Sequence, residues 1–129
     1  MLDFEFGPLR PPSEARSLPV RVTRNCPWNN CKFCRFFKGE RFELRSLAEV
    51  KQDILAIKAI QDKLGDCAVR SGTIEAARYR ESSMAVRQVA NWLYGGGRSA
   101  FLQDANTLIM PPDDLVQVIR FLKQTLPSL

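Results

Sequence analysis

Three of the chain's four cysteines fall within nine residues, Cys26-Pro27-Trp28-Asn29-Asn30-Cys31-Lys32-Phe33-Cys34, and this C-x4-C-x2-C spacing constrains the chain more than any other feature. Thiols this close are not independent core residues. Two neighbours at C-x2-C can grip the same metal or cluster, and a third thiol upstream closes the grip. The chain contains no histidine, so three thiolates leave one coordination position open unless a distant group fills it. The remaining sulfur, Cys67, sits in the polar context Gly65-Asp66-Cys67.

Two centres suit such a loop. A structural zinc is almost always four-coordinate and would need Cys67 beside Cys26, Cys31 and Cys34. A four-iron cluster is normally held by four thiolates, so three would leave one iron free to bind something from outside. The spacing ranks the cluster ahead of zinc, and fortuitous thiols last. Taken alone, Cys67 reads as a small buried hydrophobe.

The surrounding chain is basic. The formal charge is +5, and residues 1–45 hold nine Lys and Arg against five Asp and Glu. One reading is a nucleic-acid face built from Arg21, Arg24, Lys32, Arg35, Lys38 and Arg41. The favoured reading is that these cations offset a thiolate cluster and an anionic ligand. Aromatics interleave with them in Phe36 to Leu44, and there the preferred role is to cover the loop and shield it from water. At 129 residues, with 45% hydrophobic and 26% charged content, the chain is a globular domain. Met1 to Pro12 carries Asp3 and Glu5 and no apolar signal core, and no run is long enough to span a membrane. Clustered free cysteines without a disulfide framework point to a reducing, cytoplasmic setting.

Taken in order, residues 1–16 read as an irregular leader, since Gly7-Pro8 and Pro11-Pro12 forbid regular structure. The β-branched run 17–23 predicts a strand, with Pro19 suited to its edge or start, and it feeds the cysteine loop at 24–36. Ser46 and Glu49 form a capping box for a helix over 46–64, with Leu47, Val50, Ile54, Ile57 and Leu64 at helical spacing. A helical insertion is expected over 74–94, breaking near Ser82-Ser83, with Trp92 and Tyr94 as core anchors and Gly95-Gly96-Gly97 as its stop. A second strand is expected over 99–104, followed by a helix over 113–125 whose core face is Leu115, Val118, Ile119, Leu122 and Leu126. Strands joined by helices in this order make a parallel sheet, and such sheets bind ligands at the carboxyl ends of their strands. The cysteine loop and Asp104-Ala105-Asn106 both belong at that end. A chain without histidine holds no Ser-His-Asp or Cys-His nucleophile, and there is no phosphate-cradling glycine motif.

The run from Arg21 to Cys34, with Phe33 just before the last cysteine, resembles the N-terminal part of radical S-adenosylmethionine (radical SAM) proteins. Their usual signature is C-x3-C-x-aromatic-C, and this chain has one residue more between the first two cysteines. The run Phe101 to Leu108 also resembles the family, so the likeness spans most of the chain. It implies an α/β fold: the first two βα units of a partial (βα)6 barrel, incomplete, in a piece of a longer enzyme. It implies a [4Fe-4S] cluster on Cys26, Cys31 and Cys34, and S-adenosylmethionine bound to the open iron, with Phe33 near the adenine. Reduction of the sulfonium would yield a 5′-deoxyadenosyl radical. An electron donor is the implied partner and the substrate is open. The family's usual Gly-Gly-Glu-type segment follows its second strand. Gly95 to Gly97 precedes the strand here, so position assigns the methionine-moiety contacts to Gln103, Asp104 and Asn106 instead.

Overall fold

The computed structural model describes residues 3–64 and 83–129. It is a mixed α/β arrangement. Strand β1 (Leu18–Arg21) is followed by two short strands, β2 (Thr23–Arg24) and β3 (Glu43–Leu44), and by helix α1 (Leu47–Leu64). Helix α2 (Met84–Tyr94), strand β4 (Ala100–Gln103) and helix α3 (Pro112–Thr125) complete the order. Strands β1 and β4 pair in parallel, Leu18 against Ala100 through Arg21 against Gln103. This is the parallel pairing expected for two strands separated by helix.

The strand expected over 17–23 is divided. Val22 is the joint: its N–H donates to Gln103 O (2.7 Å), while its carbonyl accepts from the Arg45 N–H (3.4 Å). Beyond it, β2 turns away to pair antiparallel with β3, Thr23 against Leu44 and Arg24 against Glu43. The sequence reading had no strand at Glu43–Leu44; two solvated residues carry no periodicity to read. Leu18 and Val22 both direct their N–H groups at the β4 chain. By the strand's two-residue alternation, the missing N–H of Pro19 falls on the outer side, where no ladder bond is lost.

Helix α1 starts as its capping box requires. The Glu49 N–H donates to Ser46 Oγ (3.2 Å) and the Ser46 N–H to Glu49 Oε2 (2.9 Å). Its Val50, Ile54, Ile57 and Ile60 are buried, and they pack with Leu18, Val20 and Val22 of β1, Val89 and Trp92 of α2, and Val118, Leu122 and Leu126. Each of these larger side chains contributes roughly 1.5–3 kcal/mol of burial. Helix α2 begins at Met84, with Ser83 Oγ accepting from the Val86 N–H (3.3 Å); the earlier part of the helix expected over 74–94 lies outside the described residues, as does Cys67. Two packing expectations are corrected. Tyr94 is exposed, because α2 ends beside it at Gly95, and Ile119 is exposed because it falls beyond the buried stripe of Val118 and Leu122.

The leader is not free. Gly7 N–H donates to Gln103 Oε1 (2.7 Å), and Gln103 Nε2 donates to Leu9 O (2.7 Å). Residues 7–9 therefore lie over Gln103, while Phe4 joins the hydrophobic core. No described helix is long and apolar enough to cross a membrane. Truncating Ile54, fully buried at the centre of α1, to Ala should cost about 2–5 kcal/mol in urea unfolding, whereas Val116→Ala on the exposed face of α3 should stay within about 0.5 kcal/mol.

Candidate metal and cofactor site

The loop bearing the cysteines is closed at its base by the β2–β3 ladder and then stitched across. Asn25 Nδ2 donates to Arg41 O (2.6 Å), Asn29 Nδ2 to Glu40 O (3.1 Å), and the Gly39 N–H to Asn29 Oδ1 (3.2 Å). Asn25 and Asn29 adopt left-handed backbone angles, φ 69° and 53°, and Gly39 lies at 83°. Asparagine tolerates that region better than other non-glycine residues because its side chain can bond locally. The asparagines were the legible signal for this closed loop, and the sequence reading assigned them no role.

Cys26, Cys31 and Cys34 are free thiols, each partly exposed. Backbone amides already point at two of the sulfurs: the Asn29 N–H donates to Cys26 Sγ (3.4 Å) and the Phe37 N–H to Cys34 Sγ (3.5 Å). Hydrogen bonds from the Phe37 and Phe36 amides hold the Cys34 thiol below its usual pKa, with Lys38 adding a favourable charge. Amides that favour the Cys34 thiolate suit a metal or cluster ligand, and three thiols on one loop are a donor set of the type that binds one. Among the described residues, no group of three or more His, Cys, Asp or Glu side chains is arranged to hold a metal ion, so loading requires the loop to draw its sulfurs together. Phe33 is 86% exposed beside Cys34.

Asp104 lies at the same end of the sheet, against the root of this loop. Its Oδ2 accepts from the Asn25 N–H (2.7 Å) and from Arg21 Nε (2.8 Å) and Nη2 (2.6 Å), and its own N–H donates to Thr23 Oγ1 (3.1 Å). Thus the residue immediately before Cys26 is held by the residue immediately after β4. The other carboxylate oxygen, Oδ1, is buried without a hydrogen-bond partner. It faces Gly7, where a Cβ would overlap it. Gln103 is wholly buried, with its amide committed to Gly7 and Leu9. Asn106 is exposed, precedes the short 3-10 turn Thr107–Ile109, and makes no side-chain cap there. Of the four expected cofactor contacts, Phe33 and Asn106 face solvent, while Gln103 and Asp104 are covered by the leader. Gly95 to Gly97 precede β4, at the end of the sheet remote from the cysteine loop, as their position implied.

The cations divide in a way composition could not reveal. Arg21, Arg24 and Arg45 converge on Glu5 of the leader, at 3.0, 2.7 and 3.4 Å. Arg45 also pairs with Asp53 of α1, and Arg24 with Glu43. These arginines serve the fold, so the reading of Arg21 and Arg24 as a ligand-facing or nucleic-acid-facing pair is corrected. Chiefly the hydrogen bond from Arg24, helped by the surrounding arginines, holds the Glu5 carboxyl below its usual value. Its stabilising contribution is full above the unfolded carboxylate pKa and is lost as pH falls through the lower folded one. Burial pushes Asp53 the other way, so its contribution is present at low pH and is lost as pH rises through its folded pKa.

Replacing Asp104 by Ala leaves Arg21 with Glu5 and a long hydrogen bond to Asn25 Oδ1, and should cost about 3 kcal/mol in denaturant unfolding, with Asp104→Asn recovering part of it. In a metal-free variant retaining only Cys34 of the loop thiols, thiolate absorbance should titrate at lower pH than in the same variant unfolded in denaturant. No protein-family model matches the chain, and searches of the curated proteins and of solved structures return no match.

Proposed function

We propose that this chain is the N-terminal portion of a radical SAM enzyme, with Cys26, Cys31 and Cys34 holding a [4Fe-4S] cluster that binds S-adenosylmethionine at its open iron. The observation that carries the reading is a placement. Three thiols, two of them with amide-supported sulfurs, lie on the loop that follows β1 and β2, and Asp104 at the carboxyl end of β4, the parallel neighbour of β1, is hydrogen-bonded to the loop's first residue. On this reading the parallel pair β1–β4 belongs to an incomplete (βα)6 barrel.

When bound, the reduced cluster and sulfonium supply a 5′-deoxyadenosyl radical able to abstract hydrogen from a substrate, and an external electron donor does the reducing. The chain's own residues supply binding and orientation. Phe33 offers an exposed ring for the adenine. Asp104 Oδ1, orphaned and buried, is an acceptor for the ammonium of the methionine moiety, and the Asn106 amide oxygen is a second one. Arg21 fixes the carboxylate through Oδ2 and leaves Oδ1 to the ligand. Residues 7–9 cover Asp104 and Gln103, so binding requires them to lift, and once returned they would exclude water.

Anaerobic reconstitution followed by metal and sulfide analysis tests the reading. About four irons with matching sulfide per chain are expected, abolished by changing any one of Cys26, Cys31 or Cys34 to Ala. One zinc per chain, lost on changing Cys67 as well, would support a zinc-binding interaction module instead. With the cluster loaded, Asp104→Asn should weaken S-adenosylmethionine binding by roughly 10-fold, the loss of one charge-assisted hydrogen bond, read by perturbation of the cluster's spectrum.

A further inference from the structure

Of the three aromatics in Phe36 to Leu44 expected to cover the loop, Phe37 is buried and Phe42 half-buried, but Phe36 is exposed, and so are Trp28 and Phe33 within the loop. Only Phe37 is buried; Trp28, Phe33 and Phe36 are 64%, 86% and 51% exposed. Large apolar rings held out in water on a closed loop call for an explanation that an isolated surface residue does not. The same loop carries Lys32, Arg35, Lys38 and Arg41, all exposed, and none forms a salt bridge with a carboxylate among the described residues. Against them residues 25–42 hold a single acid, Glu40. The contrast with Arg21, Arg24 and Arg45 is sharp: the fold neutralises three arginines at the loop's root, while the four cations at its surface have no carboxylate partner among the described residues.

From this pairing of exposed rings and exposed cations we propose that the cysteine loop is a binding surface for single-stranded nucleic acid. Bases stack on Trp28, Phe36 and Phe33, and phosphates lie against Lys32, Arg35, Lys38 and Arg41. Base-on-aromatic stacking beside a basic track is the physics of sequence-tolerant single-strand binding. The β2–β3 ladder and the two asparagine stitches hold the loop closed in the free protein, so less order must be imposed on binding. An anionic membrane offers the same charge, but the loop presents no amphipathic helical face to lie in its interface, so the stacking surface favours nucleic acid. The proposal does not rest on the cluster. Phe33 can meet a cofactor adenine or a base, so the deciding positions are Trp28 and Phe36.

The protein carries its own reporter. Of its two tryptophans, Trp92 is fully buried and Trp28 is exposed, so quenching on titration reads the loop. Fluorescein-labelled oligothymidylate and oligouridylate of about twelve nucleotides are titrated by anisotropy and by Trp28 quenching, alongside phosphatidylserine vesicles. Binding of either oligonucleotide, with log affinity falling against log salt at a slope of about −3 for four phosphate contacts, supports the proposal. Preference between the two then identifies DNA or RNA as the source. Trp28→Ala and Phe36→Ala, which leave the buried core untouched, should each weaken anisotropy-detected binding roughly 5- to 100-fold with an unchanged circular dichroism spectrum. A Lys32→Glu, Arg35→Glu double variant should abolish it. Vesicle binding without oligonucleotide binding overturns the proposal, as does oligonucleotide binding that survives Trp28→Ala and Phe36→Ala unchanged, or no binding at low salt.

Discussion

The contact between Arg21 and Asp104 organises this molecule. Arg21 is the last residue of β1, and Asp104 immediately follows β4, so a parallel register brings them to the same end of the sheet. The Asp104 side chain is fully buried, and a buried carboxylate is tolerable only with close donors. Arg21 supplies two and the Asn25 amide a third. That third bond gives the arrangement its reach. It fixes the backbone one residue before Cys26, in a left-handed conformation that sets the direction in which the cysteine loop leaves the sheet.

The leader then becomes part of the site. Glu5 ties three arginines together, and Gly7 approaches Asp104 so closely that only a residue without a Cβ fits. Gly7 is needed for space, since nothing in its backbone conformation demands glycine. The same approach desolvates Asp104 Oδ1 without giving it a donor, a cost of the kind folded proteins usually avoid. An uncompensated acceptor next to an unattached stretch would be a defect. Under the proposed function it is an acceptor in reserve for the ligand.

Much of the scaffold was legible because it rests on periodic burial and local capping. The helix over 46–64 follows from Ser46, Glu49 and the spacing of Val50, Ile54 and Ile57, and the structure shows α1 at Leu47–Leu64. The second strand and last helix, expected at 99–104 and 113–125, lie at Ala100–Gln103 and Pro112–Thr125. What could not be read depends on contacts between distant residues. Nothing local to Thr23 says that it leaves the sheet to pair with Leu44. Nothing local to Gln103 says that its amide is spent on Gly7 and Leu9, across more than ninety positions. The division of the arginines is of the same kind, since a charge count cannot tell a cation with a buried partner from one facing water.

That division bears on how one loop could hold two sorts of ligand. The root of the loop is held by electrostatics: each arginine there has at least two acidic or carbonyl partners, and Glu5 is shared by all three. The tip is held only by asparagine side chains on carbonyls and one glycine amide, bonds worth about 1 kcal/mol apiece, exposed to competing water. A loop fixed at its root and loosely pinned at its tip can draw three sulfurs around one centre without disturbing the sheet beneath. Phe37, buried, anchors the segment to the body, while Trp28 and Phe36 stand exposed on the loop. Ligation would engage the three sulfurs and stacking the exposed rings, with the Arg21–Asp104 contact holding the base common to both.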